Sequence, residues 1–85
     1  GLGAKIELNK IKTNLIFKWI KKQGVSDKEM IKTFNCGVGF CLIVNSKNLK
    51  KINKYFNKDF KPYEIGKIIN GKKNVKLNGQ INWKK

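Results

Sequence analysis

The chain is expected to adopt an α+β fold, with a mixed, largely antiparallel sheet and helices packed against it in the order β-α-α-β-α-β-β. Three observations lead there. The amino end alternates polar and apolar residues as a half-buried strand does. Two stretches behind it carry helical spacing with recognisable caps. The last two apolar runs are joined through Asn70-Gly71, a link too short for the crossover that a parallel pair needs.

Each element has its own justification. Ala4 to Leu8 sets Ile6 and Leu8 against Lys5 and Glu7, which predicts a strand with one buried face. Leu15, Ile16, Trp19 and Ile20 recur at helical spacing, with Thr13 or Asn14 as N-cap. Lys21 and Lys22 suit the negative end of that helix, and Gly24 ends it. A second helix is expected from about Asp27 to Thr33 or Phe34. Ser26 and Glu29 have the spacing of a capping box there, and Val25 and Met30 that of a hydrophobic staple. Val38 to Val44 is the most apolar stretch and is the predicted central strand, with Cys41 buried in it. Ser46 is then expected to cap a third helix, its inner face formed by Leu49, Ile52, Tyr55 and Phe56. Pro62 opens a predicted strand from Tyr63 to Ile69. Val75 to Leu77 returns as an edge strand, and Trp83 is left without an assigned place.

The bulk composition narrows the function. Eighty-five residues make a single domain, residues 1–85, with no room for a second core. The chain opens Gly1-Leu2-Gly3 without a Met, as expected of a processed or trimmed product or a piece of something longer. No apolar run approaches the roughly 20 residues of a membrane span, so a soluble, cytoplasmic protein without a membrane partner is expected. The net charge of +15 suggests a polyanion partner. However, all 20 basic residues are Lys, and Asn and Ile each occur 11 times, the signature of A/T-rich codons. A reader of nucleic acid usually keeps some Arg for its planar fork. A small basic nucleic-acid-binding module is therefore the alternative reading, and no nucleic-acid partner is the main expectation. With no His and only Cys36 and Cys41, the chain cannot assemble a zinc site, and Cys36 has no His to act as base for a thiol nucleophile. The five carboxylates include no pair spaced convincingly for Mg²⁺.

Thr33-Phe34-Asn35-Cys36-Gly37-Val38-Gly39 remains the most informative segment. One reading is a ligand-facing loop, with N–H groups around Cys36 to Gly39 receiving negative charge and the Asn35 amide able to donate and accept. The other is a plain helix C-cap, with Asn35 left-handed and the glycines allowing close packing. Residue types alone favour the second. Gly66, inside a strand, is read as room for a neighbouring helix.

The same segment resembles a stretch near the carboxyl end of the aminoimidazole ribonucleotide synthetases, the phosphoribosylformylglycinamidine cyclo-ligases of purine biosynthesis. There the pattern is close to EMxRTFNxGxGM; here Lys32 stands for the Arg and Phe40 for the Met. Ile16-Phe17-Lys18-Trp19-Ile20 followed by Gly24 resembles the family's IFxWLxxxG helix. Tyr63 to Ile69 resembles its AxxIGxV strand, and Ala4-Lys5-Ile6 the strand before them. The likeness runs from about Gly3 to Leu77. Lys32 keeps the charge of the Arg but not its bidentate fork. The resemblance implies an enzyme that closes formylglycinamidine ribonucleotide to aminoimidazole ribonucleotide at the expense of ATP. It also implies that this chain is a carboxyl-terminal piece, inactive alone, of a homodimeric ligase whose absent amino-terminal domain holds most of the ATP and Mg²⁺. Asn35 is the implied catalytic residue. Thr33, Asn35, Cys36, Gly37 and Gly39 are the implied contacts to the substrate and its phosphate, and no metal ligand is implied in this segment.

Overall fold

The computed structural model describes residues 1–71 and 73–84. Its regular elements are β1 (Leu2–Glu7), α1 (Leu15–Lys22), α2 (Asp27–Thr33), α3 (Leu49–Asn53), β2 (Gly66–Asn70) and β3 (Val75–Asn78), with single 3₁₀ turns at Leu8–Lys10, Ser46–Asn48 and Lys58–Phe60. The α+β class holds, and the sheet is mixed.

Its topology departs from a simple terminal hairpin. Strand order is β2-β1-β3, so β1 lies between the two carboxyl-terminal strands. It pairs antiparallel with β2 (Ala4 opposite Ile68, Ile6 opposite Gly66) and parallel with β3 (Ala4 opposite Val75, Ile6 opposite Leu77). Asn70-Gly71 does reverse the chain, but the two strands it links are held apart. The connection passes the start of β1, where Gly71 N–H donates to the Gly1 carbonyl at 3.1 Å and Ala4 N–H to that of Asn74 at 3.0 Å. Gly66 is needed where β2 meets β1, because a Cβ there would run into the Lys5 carbonyl oxygen. The close neighbour is a strand, not the expected helix.

The capping signals placed α2 well. Ser26 Oγ accepts from the Glu29 N–H at 3.2 Å, satisfying one of the helix's otherwise unpaired amino-terminal donors. Met30 on this helix is fully buried. Around it stand Leu8, Cys36 and Ile81, with Ile6, Ile11, Phe17, Ile20, Val25, Ile31, Phe34 and Trp83 packed on the outside. The tail is therefore part of the core. Trp83 Nε1 donates to Asp27 Oδ1 at 3.1 Å, and Lys21 Nζ lies 3.1 Å from the same oxygen. Lys21 also donates to the Val25 carbonyl at 2.7 Å, which joins α1, α2 and the tail at one corner.

Four expectations fail. Val38 to Val44 is not a strand: it runs as irregular chain, with Phe40 85% and Ile43 80% exposed and Cys41 also at the surface. An apolar run shows that a segment seeks burial, but a strand also needs a paired neighbour, and no described residue pairs with this one. The third helix is a 3₁₀ turn capped by Asn45, whose Oδ1 accepts from Lys47 N–H at 3.0 Å, followed by a single turn of α-helix. Leu49, Tyr55 and Phe56 remain exposed instead of forming core, because among the described residues α3 packs chiefly on the 3₁₀ turn before it. In α1 the inward side chains are Phe17 and Ile20, while Leu15, Ile16 and Trp19 face solvent. Likewise Tyr63 to Ile65 precedes β2 instead of belonging to it.

Candidate functional site

The corner after α2 is built from the helix outward. Phe34 caps the helix with extended backbone, and its N–H donates to the Met30 carbonyl at 2.9 Å. The chain then makes a tight reversal over Asn35 to Val38, closed by Val38 N–H donating to the Asn35 carbonyl at 3.0 Å. Both central residues are left-handed, Cys36 at φ 54° and Gly37 at φ 105°. Double positive φ is the geometry of a type I′ turn, strained for Cys36 and natural for Gly37. Asn35 Oδ1 accepts from Gly37 N–H at 2.8 Å and braces the turn from within.

Cys36 can hold this strained position because its side chain is anchored. It is 2% exposed, with Sγ 3.6 Å from the Met30 carbonyl oxygen, inside the cluster of Leu8, Met30 and Ile81. Burial pushes its thiol pKa up, away from the thiolate that a nucleophile needs. Gly37 fits against the loop before α1: a Cβ there would meet Lys12 O at 2.9 Å, Asn14 Oδ1 at 3.0 Å and Thr13 Cα at 3.3 Å. Tyr63 fixes that loop from the other side. Its hydroxyl accepts from Lys12 N–H at 2.9 Å, and Lys12 Nζ stands 4.7 Å from its ring centre. Sequence reasoning missed Lys12, Asn14 and Tyr63 as parts of this corner, since only the fold brings them together.

Each implied contact residue now has a place. Thr33, Asn35, Gly37 and Gly39 are exposed around one turn, with Lys32 exposed beside them. Gly39 faces open space, with nothing within 4 Å of where a Cβ would stand. Cys36 contributes main chain only. Of the N–H groups from Cys36 to Gly39, those of Gly37 and Val38 are held by Asn35; no described residue accepts from those of Cys36 and Gly39, which with Asn35 Nδ2 are the donors available here. The carboxyl end of α2 carries the negative end of a helix dipole, which Lys32 in its last turn offsets. The arrangement can donate hydrogen bonds to an anionic group and has no base for proton abstraction.

The donor set does not suit a metal ion. Among the described residues no three His, Cys, Asp or Glu side chains come together. Asp27 is engaged by Lys21 and Trp83, and Glu7 by Lys5 and Asn78. Among the same residues no helix is long and apolar enough to cross a membrane.

A small α+β domain with an exposed glycine turn at a helix end is the class that fold and site define. The profile described as "AIR synthase related protein, C-terminal domain" matches residues 1–78, and the chain belongs to that family. Similar proteins include the phosphoribosylformylglycinamidine cyclo-ligase of Staphylococcus saprophyticus, 35% identical over 81 residues that make up 93% of this chain and 24% of that protein. The cyclo-ligase of Methanococcus maripaludis is 46% identical over 67 residues, 76% of this chain and 18% of that one. The chloroplastic cyclo-ligase of Arabidopsis thaliana is 36% identical over 73 residues, 84% of this chain and 19% of that one. The chain thus spans about a quarter or less of the curated relatives it matches. No solved structure matches it. The lysine-rich surface finds no support in these relationships as a separate nucleic-acid-binding module.

Proposed function

We propose that this chain is the carboxyl-terminal part of a phosphoribosylformylglycinamidine cyclo-ligase of purine biosynthesis and that its Asn35–Gly39 turn receives an anionic group of the substrate during ring closure. The observation that carries the reading is the exposed turn itself. It lies in the segment that resembles the family's most specific pattern, with Asn35 and Gly39 both exposed and nothing within 4 Å of where a Gly39 Cβ would stand.

The chemistry explains why such a turn is useful. An amide oxygen is a poor leaving group. Transfer of the ATP γ-phosphoryl group to that oxygen gives an iminophosphate and ADP. An internal nitrogen then attacks the carbon, the C–O bond breaks, and inorganic phosphate departs as the ring closes. The attack is intramolecular, so folding the substrate correctly supplies much of the rate. The protein's remaining task is to stabilise charge on phosphoryl groups with preorganised donors. Asn35 donates through Nδ2, Cys36 and Gly39 through main-chain N–H, and Thr33 through its hydroxyl, while Gly37 keeps the turn in shape. Lys32 and Lys12 supply positive charge nearby. ATP and Mg²⁺ are assigned to the rest of the polypeptide, a reading supported by the scatter of the carboxylates among the described residues. The complete enzyme is read as a cytoplasmic homodimer acting on a small nucleotide, and the 85-residue chain alone as inactive.

The test is made in the complete polypeptide, by ATP- and substrate-dependent phosphate release. Asn35→Asp keeps an acceptor for Gly37 N–H but removes the outward donor, and Asn35→Ala removes both. Each is expected to lower kcat/KM by at least about tenfold. Values within about twofold of the parent for both variants would end the assignment.

A further inference from the structure

The exposed apolar segment after the turn has no role in the site just described. Val38, Phe40, Cys41, Leu42, Ile43 and Val44 are apolar at both odd and even positions, so a strand made from them would be apolar on both faces. That pattern belongs to strands covered on both sides. Here no described residue pairs with its backbone in a sheet, and Phe40 is 85% and Ile43 80% exposed. Beside Ile43 the sheet is also open. Ala4, Ile68 and Val75 stand in a row across β2-β1-β3 on one face. With Leu2 and Ile43 they line a shallow groove of about 420 Å³, bordered by Lys73 and Asn74.

We propose that residues 40–44 form a docking strand that pairs with an apolar strand from the remaining part of a cyclo-ligase polypeptide, and that the same partner closes the groove over Leu2, Ile68 and Val75. Two observations choose this occupant. The relatives carry more than three quarters of their length outside the matched region, which is ample chain to supply a strand and a covering layer. The charge of +15 opposes a second copy of this chain and favours a partner whose flanks are acidic beside Lys73. Pairing along Phe40 to Val44 engages main-chain donors and acceptors there and leaves the Gly39 N–H to the turn, and the flanking pockets read the side chains. The Asn35–Gly39 turn leads directly into this strand, so docking also fixes the outer side of the turn. The inference rests on family membership and not on anion binding.

The test is co-expression of the 85-residue chain with the Methanococcus maripaludis cyclo-ligase lacking its matching segment, followed by light scattering and amide hydrogen exchange. A one-to-one complex is expected, with amides of residues 40–44 slowed by at least about a hundredfold relative to the free chain. Phe40→Asp and Ile43→Asp should each weaken the complex by at least about thirtyfold, and Leu15→Asp on α1 by less than about threefold. Both strand positions are exposed, so the free chain should melt unchanged in either variant; a lost fold would show that the segment is packed internally and would overturn the proposal. So would failure to form a complex, a homodimer with the same protection, or a complex that leaves 40–44 unprotected. A protected complex that releases no phosphate counts against the ligase reading and leaves the docking strand standing.

Discussion

Replacing Gly37 with Ala tests the corner where sequence, packing and site meet. At φ 105° a side chain is strained, at about 1–2 kcal/mol by the usual left-handed penalty. The added Cβ also meets Lys12 O at 2.9 Å and Asn14 Oδ1 at 3.0 Å. The first of these is main chain, in a loop that Tyr63 holds through Lys12 N–H, so it cannot swing aside as a flexible side chain would. Overpacking against such a wall adds about 1–3 kcal/mol. The sum, roughly 2–5 kcal/mol, is a large part of the stability of a small domain. For a chain of this size it corresponds to a fall in Tm of at least about 10 °C. Gly39→Ala is the internal control, because nothing lies within 4 Å of its Cβ position and its φ is not left-handed; about 0.5 kcal/mol or less is expected. Urea titration followed by far-ultraviolet circular dichroism measures both. A Gly37→Ala loss below about 1 kcal/mol, or equal losses at the two positions, would refute the account of a turn seated on the 12–14 loop.

Other outcomes follow from the same packing. Ile81→Ala should cost about 2–5 kcal/mol by denaturant titration, although Ile81 stands near the carboxyl end, because it fills the cluster with Leu8, Met30 and Cys36. Ser26→Ala should cost about 1 kcal/mol through the lost cap on Glu29 N–H, measured the same way. Iodoacetamide should alkylate Cys41 rapidly and Cys36 only as the chain unfolds, as peptide mapping over time would show. The raised Cys36 pKa means that the folded state holds the thiol proton more tightly than the unfolded state. Its contribution is complete below the ordinary thiol value of 9.0 and is lost as pH rises through the folded pKa. The stability difference between the parent and Cys36→Ala should therefore be flat at neutral pH and shrink in alkali.

Local signals were legible in the residues. The Ser26–Glu29 spacing located α2, the Ala4–Leu8 alternation located β1 within two residues, and the glycines marked the turn. The illegible parts depend on partners distant in sequence. No local pattern tells β2 and β3 to admit β1 between them, because both registers are set by which strand offers the better apolar row. The left-handed residue is Cys36, and Asn35 instead supplies the bracing oxygen; the deciding factor is the buried place waiting for the thiol, which composition does not reveal. Ile81 and Trp83 lie beyond the last predicted strand, where one apolar and one aromatic residue among polar ones carry no periodicity. Val38 to Val44 shows the opposite error, since its apolar content called for a strand but did not say what would pair with it.

The strand order has a consequence for how the chain is made. Ile6 finds its two neighbours, Gly66 and Leu77, only after the whole intervening stretch of helices and loops has been made. During synthesis β1 must wait, unpaired, while the helices emerge, so nascent α1 and α2 leave the ribosome without the sheet beneath them. A stalled or truncated product ending before Gly66 would present Leu2, Ala4 and Ile6 as a bare ribbon, a natural substrate for chaperones and for quality-control proteases.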